Sequence, residues 1–332
     1  MRQLIALLQS GVIFGTVILF GATGETLSEK GGNLNLGVPG IMYLGGILSL
    51  AGVFFYERAC YAAGIVPVGI LCVLIALGCA FAGGMLGGAI FSFLTTSLRV
   101  NQNVTGLTLT VFAGGFANFF GGSLMKLAGG VGQISVSATS AAFRTRIPWL
   151  SSTFGFVSDI LFSYGFMVYL AVIIAVLLSW VIGHTALGLN LRAVGESPAT
   201  ADAGGINVTK YKYLATTVGG GISALGGLFY VMDYMKGTWD ADGGIERLGW
   251  LAVALVIFAG WKPKHGIWGA YLFGILSWLF FYISGLTRRS SELFKMLPYV
   301  ATVLVLIVVS LRKSRNSQPP AGLGLPYFRE ER

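Results

Sequence analysis

Six side-chain amides, Asn33, Asn35, Asn101, Gln102, Asn103 and Asn118, lie in or beside long apolar stretches of this 332-residue chain. An amide offers a donor and an acceptor without charge, which suits a neutral polyhydroxylated or nucleobase-bearing solute. Phe116, Phe119 and Phe120 flank Asn118. They could stack a base, or simply pack as apolar rings do. A polar island at 188–207 separates two long apolar segments and carries its own helix signals. Ser197 can accept an N-cap hydrogen bond, and Pro198 suits the first helical position because its missing N–H has no partner there. Helix over 199–203 is expected to follow. Gly204-Gly205 should end it through the left-handed conformation that glycine tolerates. At about 1.5 Å per residue this makes a rigid knob roughly 10 Å long outside the bilayer, which another protein could push.

Catalytic and metal chemistry find no such foothold. The chain has no Gly-x-x-x-x-Gly-Lys-Ser/Thr loop, Gly-x-Ser-x-Gly elbow or His-Glu-x-x-His pair. His184 and His265 are isolated and expected at helix ends, as capping or interfacial residues. Cys60, Cys72 and Cys79 have no ligand spacing; Cys72 and Cys79 read as packing residues on one helix face.

The elements that must hold these residues are membrane helices. Hydrophobic residues make up 55% and charged ones 11%, against about 25% charged in soluble domains. The mean hydropathy is +0.77. Continuous apolar runs exclude a β-barrel and predict an all-α integral membrane protein with about ten spans. They are expected at 5–23, 36–56, 64–83, 84–98, 104–125, 156–182, 211–232, 248–261, 266–285 and 294–311. Gly83-Gly84 and Gly87-Gly88 could mark a hairpin between the third and fourth, or a broken helix. The eighth is short for a full crossing. An even count puts both termini on one side. With the first span running outward, 13 of the 22 basic residues fall inside, so both termini and the 184–210 loop are expected in the cytoplasm. Residues 1–311 then form the membrane domain and 312–332 a cytoplasmic tail, basic at first and then rich in Pro and Gly. Residues 1–23 also have the outline of a signal peptide, but the weak basic start and the many following spans argue against it. The net charge of +9 fits topology and contact with anionic lipid better than nucleic acid. The basic segment 141–150 is expected outside, docking a protein or lying on the membrane with Trp149 as anchor.

Glycine supplies 49 residues, about 15% against an average near 7%. Small residues let helix backbones approach in lipid, where burial gives little drive to associate. Gly114-Gly115 and Gly121-Gly122 match Gly219-Gly220 and Gly226-Gly227 at a spacing of seven. This is either a trace of internal repetition or plain small-residue packing. No expected span has a charge near its middle; Glu57, Arg58, Lys126, Asp159 and Asp233 fall at span ends. An ion-coupled carrier would need a titrating relay there. A multi-span protein with neither relay nor ATP site, but with a rigid knob, suggests a pore driven by a separate motor.

The stretch Leu191-Arg-Ala-Val-Gly-Glu-Ser-Pro-Ala-Thr-Ala-Asp-Ala-Gly-Gly-Ile-Asn-Val208 resembles the coupling loop of permease subunits in bacterial ATP-binding-cassette importers. The branch is the one serving simple sugars, nucleosides and branched-chain amino acids. Leu27-Ser-Glu-Lys-Gly-Gly-Asn-Leu-Asn-Leu-Gly-Val-Pro-Gly-Ile-Met42, Val100-Asn-Gln-Asn-Val-Thr-Gly-Leu107, Trp250-Leu-Ala-Val-Ala-Leu-Val256 and the tail from Gln318 extend the resemblance over nearly the whole chain. The first block and the tail are most similar to nucleoside permeases that work with a basic-membrane-type lipoprotein. Pro39, Gln102 and Thr110 depart from that pattern, where Glu, Glu and Asn are usual. If these positions line the path, substrate preference shifts.

The resemblance implies a multi-pass plasma-membrane subunit that is not itself an enzyme. ATP and Mg would be bound by two partner ATPase subunits or domains, and no cofactor by this chain. It implies a second, related permease and an extracytoplasmic substrate-binding lipoprotein. Arg192, Glu196, Ser197, Pro198 and Asp202 would face the ATPase, and the six amides would line the path. Nucleoside import leads; simple-sugar import and a stand-alone facilitator or channel remain alternatives, with a membrane-embedded enzyme further off.

Overall fold

The structure is a computed structural model that describes residues 2–127, 129–145, 162–283, 292–294, 296–312 and 318–328. Every regular element among them is helical. In chain order these are α1 (Arg2–Lys30), α2 (Val38–Ala62), α3 (Gly69–Ser92), α4 (Gln102–Leu127), α5 (Ser137–Phe143) and α6 (Phe166–His184). There follow α7 (Ala186–Glu196), α8 (Pro198–Ala203), α9 (Val208–Phe229), α10 (Gly244–Phe258), α11 (Pro263–Tyr282) and α12 (Leu297–Arg312). Wider π turns at Phe93–Ser97 and Tyr230–Tyr234 prolong α3 and α9. Six helices, α1, α2, α3, α4, α6 and α9, are long and apolar enough to cross a bilayer.

Helix α9 is the axis of the bundle, and α1, α2 and α3 close around it. Its glycines explain how. A Cβ on Gly219 would stand 2.5 Å from the carbonyl oxygen of Gly24 in α1. One on Gly220 would stand 2.5 Å from the carbonyl oxygen of Gly84 in α3. Backbones this close leave no room for a side chain, and dispersion across them replaces the missing hydrophobic drive.

That packing corrects the span count. Gly83-Gly84 and Gly87-Gly88 lie inside the single helix α3, so the expected spans 64–83 and 84–98 are one. Gly84 and Gly88 face Gly220 and Thr216 of α9. The glycines serve helix contact rather than a turn, and nothing in a lone sequence separates the two uses. The described ends of the chain lie at opposite ends of the bundle. Helix α1 starts at the far end, where Ser10 bonds the Tyr282 hydroxyl at 3.2 Å. It finishes at the end that carries the 184–210 loop, where Lys30 packs on Gly195. The tail lies at the loop end too, since Gly322 N–H donates to the Gly195 carbonyl at 2.9 Å. Arg2 and Arg58 therefore lie far from the loop, and Lys30 beside it.

Helix α1 also runs past its expected limit at residue 23. It carries Glu25 and Glu29 into the bundle, 1% and 2% exposed. Glu25 accepts from Asn35 N–H at 3.0 Å, and Glu29 accepts from the Trp261 indole N–H. The second bond pins the α10–α11 turn, whose Gly260 and Trp261 both adopt positive φ. Glu25 and Glu29 lie near the end of α1 rather than at its middle, beyond the span expected at 5–23. These carboxylates are held by hydrogen bonds from the α1–α2 connection and the α10–α11 turn.

Of the segment 141–150, residues 146–150 lie outside the described ones, as do the first part of the expected span 156–182 and the last residues of 266–285.

Candidate functional site

The polar island folds as two short helices. Thr185 caps α7 by accepting from Gly188 N–H at 3.1 Å. Ser197 caps α8 by accepting from Thr200 N–H at 3.4 Å, with Pro198 in the first turn. The left-handed residue after α8 is Gly205, at φ +81°, whereas Gly204 stays at −79°. Asn207 then caps α9 by accepting from Lys210 N–H at 2.9 Å. Three caps within 23 residues hold the angles between α7, α8 and α9, so α8 cannot move without them.

The pair sits on the bundle through its apolar side. Val194, Ala201 and Val208 form a small core of their own. Buried Gly195 lies against the Lys30 carbonyl and Gly32, which itself has φ +84°. Asn190 donates to the Tyr211 hydroxyl at 2.8 Å, tying α7 to α9. The outer face is left to Arg192, Glu196, Ala199, Thr200 and Ala203. Sequence reasoning overlooked Ala199, Thr200 and Ala203, because small neutral side chains give no chemical signal.

The tail binds this element from outside. Ala321 N–H donates to Glu196 Oε2 at 3.1 Å, and the Tyr327 hydroxyl to Asp202 Oδ2 at 2.7 Å. Gly324 N–H reaches the Gly32 carbonyl at 3.2 Å, and Arg99 lies over the Phe328 ring at 4.6 Å. Two of the five residues expected at the ATPase surface thus hold the tail. Arg192 bonds Gly188 O of its own helix at 3.4 Å.

The six amides divide into two groups. Asn33, Asn35 and Gln102 are buried and hold backbone at the loop end. Asn33 Nδ2 donates to Thr216 Oγ1 at 2.8 Å, Asn35 Oδ1 accepts from Gly37 N–H at 2.9 Å, and Gln102 Oε1 accepts from Leu34 N–H at 2.6 Å. Asn101, Asn103 and Asn118 belong to the α4 side. Asn101 Oδ1 caps α4 through Val104 N–H at 3.1 Å, Asn103 is exposed, and Asn118 Oδ1 accepts from the Trp239 indole at 3.1 Å. Residues 101, 104, 108, 111, 115, 118 and 122 recur at three- and four-residue steps, one face of α4. None is buried, and nothing lies within 4 Å of where Gly115 or Gly122 would carry a Cβ. A helix face bearing Asn, Thr and bare glycine backbone is ill suited to lipid and suits a protein neighbour or a wet path. Phe116 and Phe120 pack ring to ring at 4.7 Å and line an apolar cleft beside α2.

Helices of membrane-spanning length gathered around a glycine-lined axis, with a capped knob at one end, define a polytopic membrane permease. Residues 7–306 match the family described as branched-chain amino acid transport system / permease component, and the chain belongs to that family. It is 31% identical to a putative glucose ABC transporter permease of Haloferax volcanii, over 98% of both chains. It is 30% identical to a nucleoside ABC transporter permease of Lactococcus lactis over 89% of each. A guanosine ABC transporter permease of Bacillus subtilis is 27% identical over 97% of this chain and 96% of its own. No solved structure matches. The chain is thus a multi-pass plasma-membrane permease subunit of an ABC importer, and hydrolysis is not its own task.

Proposed function

We propose that this chain translocates a nucleoside, with α7 and α8 transmitting the stroke of a cytoplasmic ATPase. The observation that carries the reading is the loop itself: a capped helix seated on Lys30, Gly32 and α9, with Arg192, Glu196, Thr200 and Ala203 turned outward. A push on α8 is passed to α9, the axis on which α1, α2 and α3 close. In this reading the loop end and tail face the cytoplasm, and Arg2 faces out. The partners are two ATPase subunits or domains, a second related permease and an extracytoplasmic binding lipoprotein. Arg192, Glu196, Ser197, Pro198 and Asp202 form or hold the pushed surface. Two of the relatives above are named for nucleosides or guanosine, which favours that cargo. The glucose name of the third keeps a sugar as the second reading.

The path runs along the α4 face that carries Asn101 and Asn118, closed by the second permease, with Asn103 exposed beside its start. Asn33, Asn35 and Gln102 fix its inner end from behind. The test is reconstitution of the assembled transporter in liposomes with labelled guanosine and, separately, glucose. Uptake should require ATP and the binding protein, and guanosine should be taken up in preference. Glu196→Lys should abolish uptake and substrate-stimulated ATP hydrolysis while the protein still elutes as folded. Flux through this chain alone would replace the importer with a facilitator, and normal uptake by the variant would remove Glu196 from the stroke.

A further inference from the structure

A polar cavity of about 700 Å³ opens at the loop end between the last turn of α3, the start of α9, α8 and the tail. Arg99, Lys210 and Lys212 line it, against Asp202 as the one carboxylate among the described residues of its wall. Asp202 is itself engaged by the Tyr327 hydroxyl. Lys212 is only 2% exposed. Its ammonium has a contact at 3.5 Å with the Leu325 carbonyl. A buried charge left in that state is costly unless an anion joins it. Thr96 also lines the cavity, and its hydroxyl is buried without a hydrogen-bond partner. The N-terminus of the 22-residue α9 opens here as well, adding the partial positive charge of its first amides, of which Lys210 N–H is already bonded to Asn207 Oδ1.

We propose that this cavity binds a phosphate group. Three cations, an unsatisfied hydroxyl and helix amides match an oxyanion with several acceptor oxygens and more than one negative charge. The volume leaves room for what the phosphate is attached to, either a soluble nucleoside monophosphate or a lipid headgroup. One wall is the tail and α8, which Tyr327 and Asp202 join. An anion drawn in against Lys212 therefore clamps α8 to the ends of α3 and α9. The binding site stands on its own geometry; only its regulatory sense rests on the coupling role proposed above.

The test uses the full-length chain in nanodiscs of phosphatidylcholine, with radiolabelled adenosine monophosphate as probe and inorganic phosphate as competitor. Saturable binding that weakens with salt is expected. Arg99→Gln and Lys212→Gln should each weaken it about tenfold or more, and Thr96→Val less. Arg99 is exposed, so its variant keeps the test decisive if Lys212→Gln does not fold. In a second arm, discs containing phosphatidylglycerol are analysed by native mass spectrometry. Lipid retained by the parent chain and lost from Arg99→Gln, without nucleotide binding in the first arm, assigns the phosphate to a headgroup. The proposal is overturned if neither probe binds, or if both bind equally well to Arg99→Gln and Lys212→Gln. Uptake by the assembled transporter is measured separately, so failure here leaves the permease reading untouched.

Discussion

Helices α4 and α9 start at the same end of the molecule, run in the same direction and carry the same pairs of glycines seven residues apart. Their surroundings are opposite. On α9 the glycines at 219, 220, 226 and 227 all lie against the backbone or side chains of α1, α2 or α3. Of the matching four on α4, only Gly121 is tightly packed, against Trp239, while Gly115 and Gly122 face open space. The starts differ too: α9 is led in by a triply capped loop with the tail bound across it, whereas α4 is led in by Asn101 and the Gln102–Leu34 bond. The same spacing serves an internal axis in one helix and an outward face in the other. What a glycine pair does depends on what meets it.

The sharpest way to break this contrast is substitution on the packed helix. Gly220→Val puts three carbons into backbone of α3 and should cost about 3 kcal/mol or more. Size-exclusion elution in detergent and a thermal melt should show loss of the folded chain. Gly115→Val on α4 should change the melt of the isolated chain by less than about 0.5 kcal/mol, yet reduce assembly with the second permease and uptake. Equal melts for the two variants would erase the distinction between axis and outer face. Gln102→Leu removes the acceptor for Leu34 N–H, and stability should fall by about 1–3 kcal/mol. That loss would sharpen the view that the buried side of α4 is structural while its open side is functional. Tyr327→Phe removes one hydrogen bond to Asp202 and should cost about 1 kcal/mol. It should speed amide exchange at residues 321 and 322 and leave α4 amides unchanged.

Much of the site was legible in the chain, and the reason is locality. The α8 boundaries follow from Ser197 bonding an amide three residues on and from Pro198 needing no donor. The tail contact was not legible, because Glu196 and Ala321 are 125 residues apart and neither residue type announces the other. The burial of Glu25 and Glu29 was not legible for the same reason. Read alone they mark the end of a span, but amide and indole donors from other segments allow α1 to carry them inward.

The sequence by itself determined the membrane class, most helix locations and the capped knob, since apolar run length and capping are properties of neighbours along the chain. Tertiary structure alone decided that Gly83-Gly84 lies within one helix, that the described ends of the chain lie at opposite ends of the bundle, and that three cations surround one cavity. A glycine turns or packs according to what approaches it, and a cation is buried or solvated according to what covers it. Both are facts of assembly, set by residues far away in the chain.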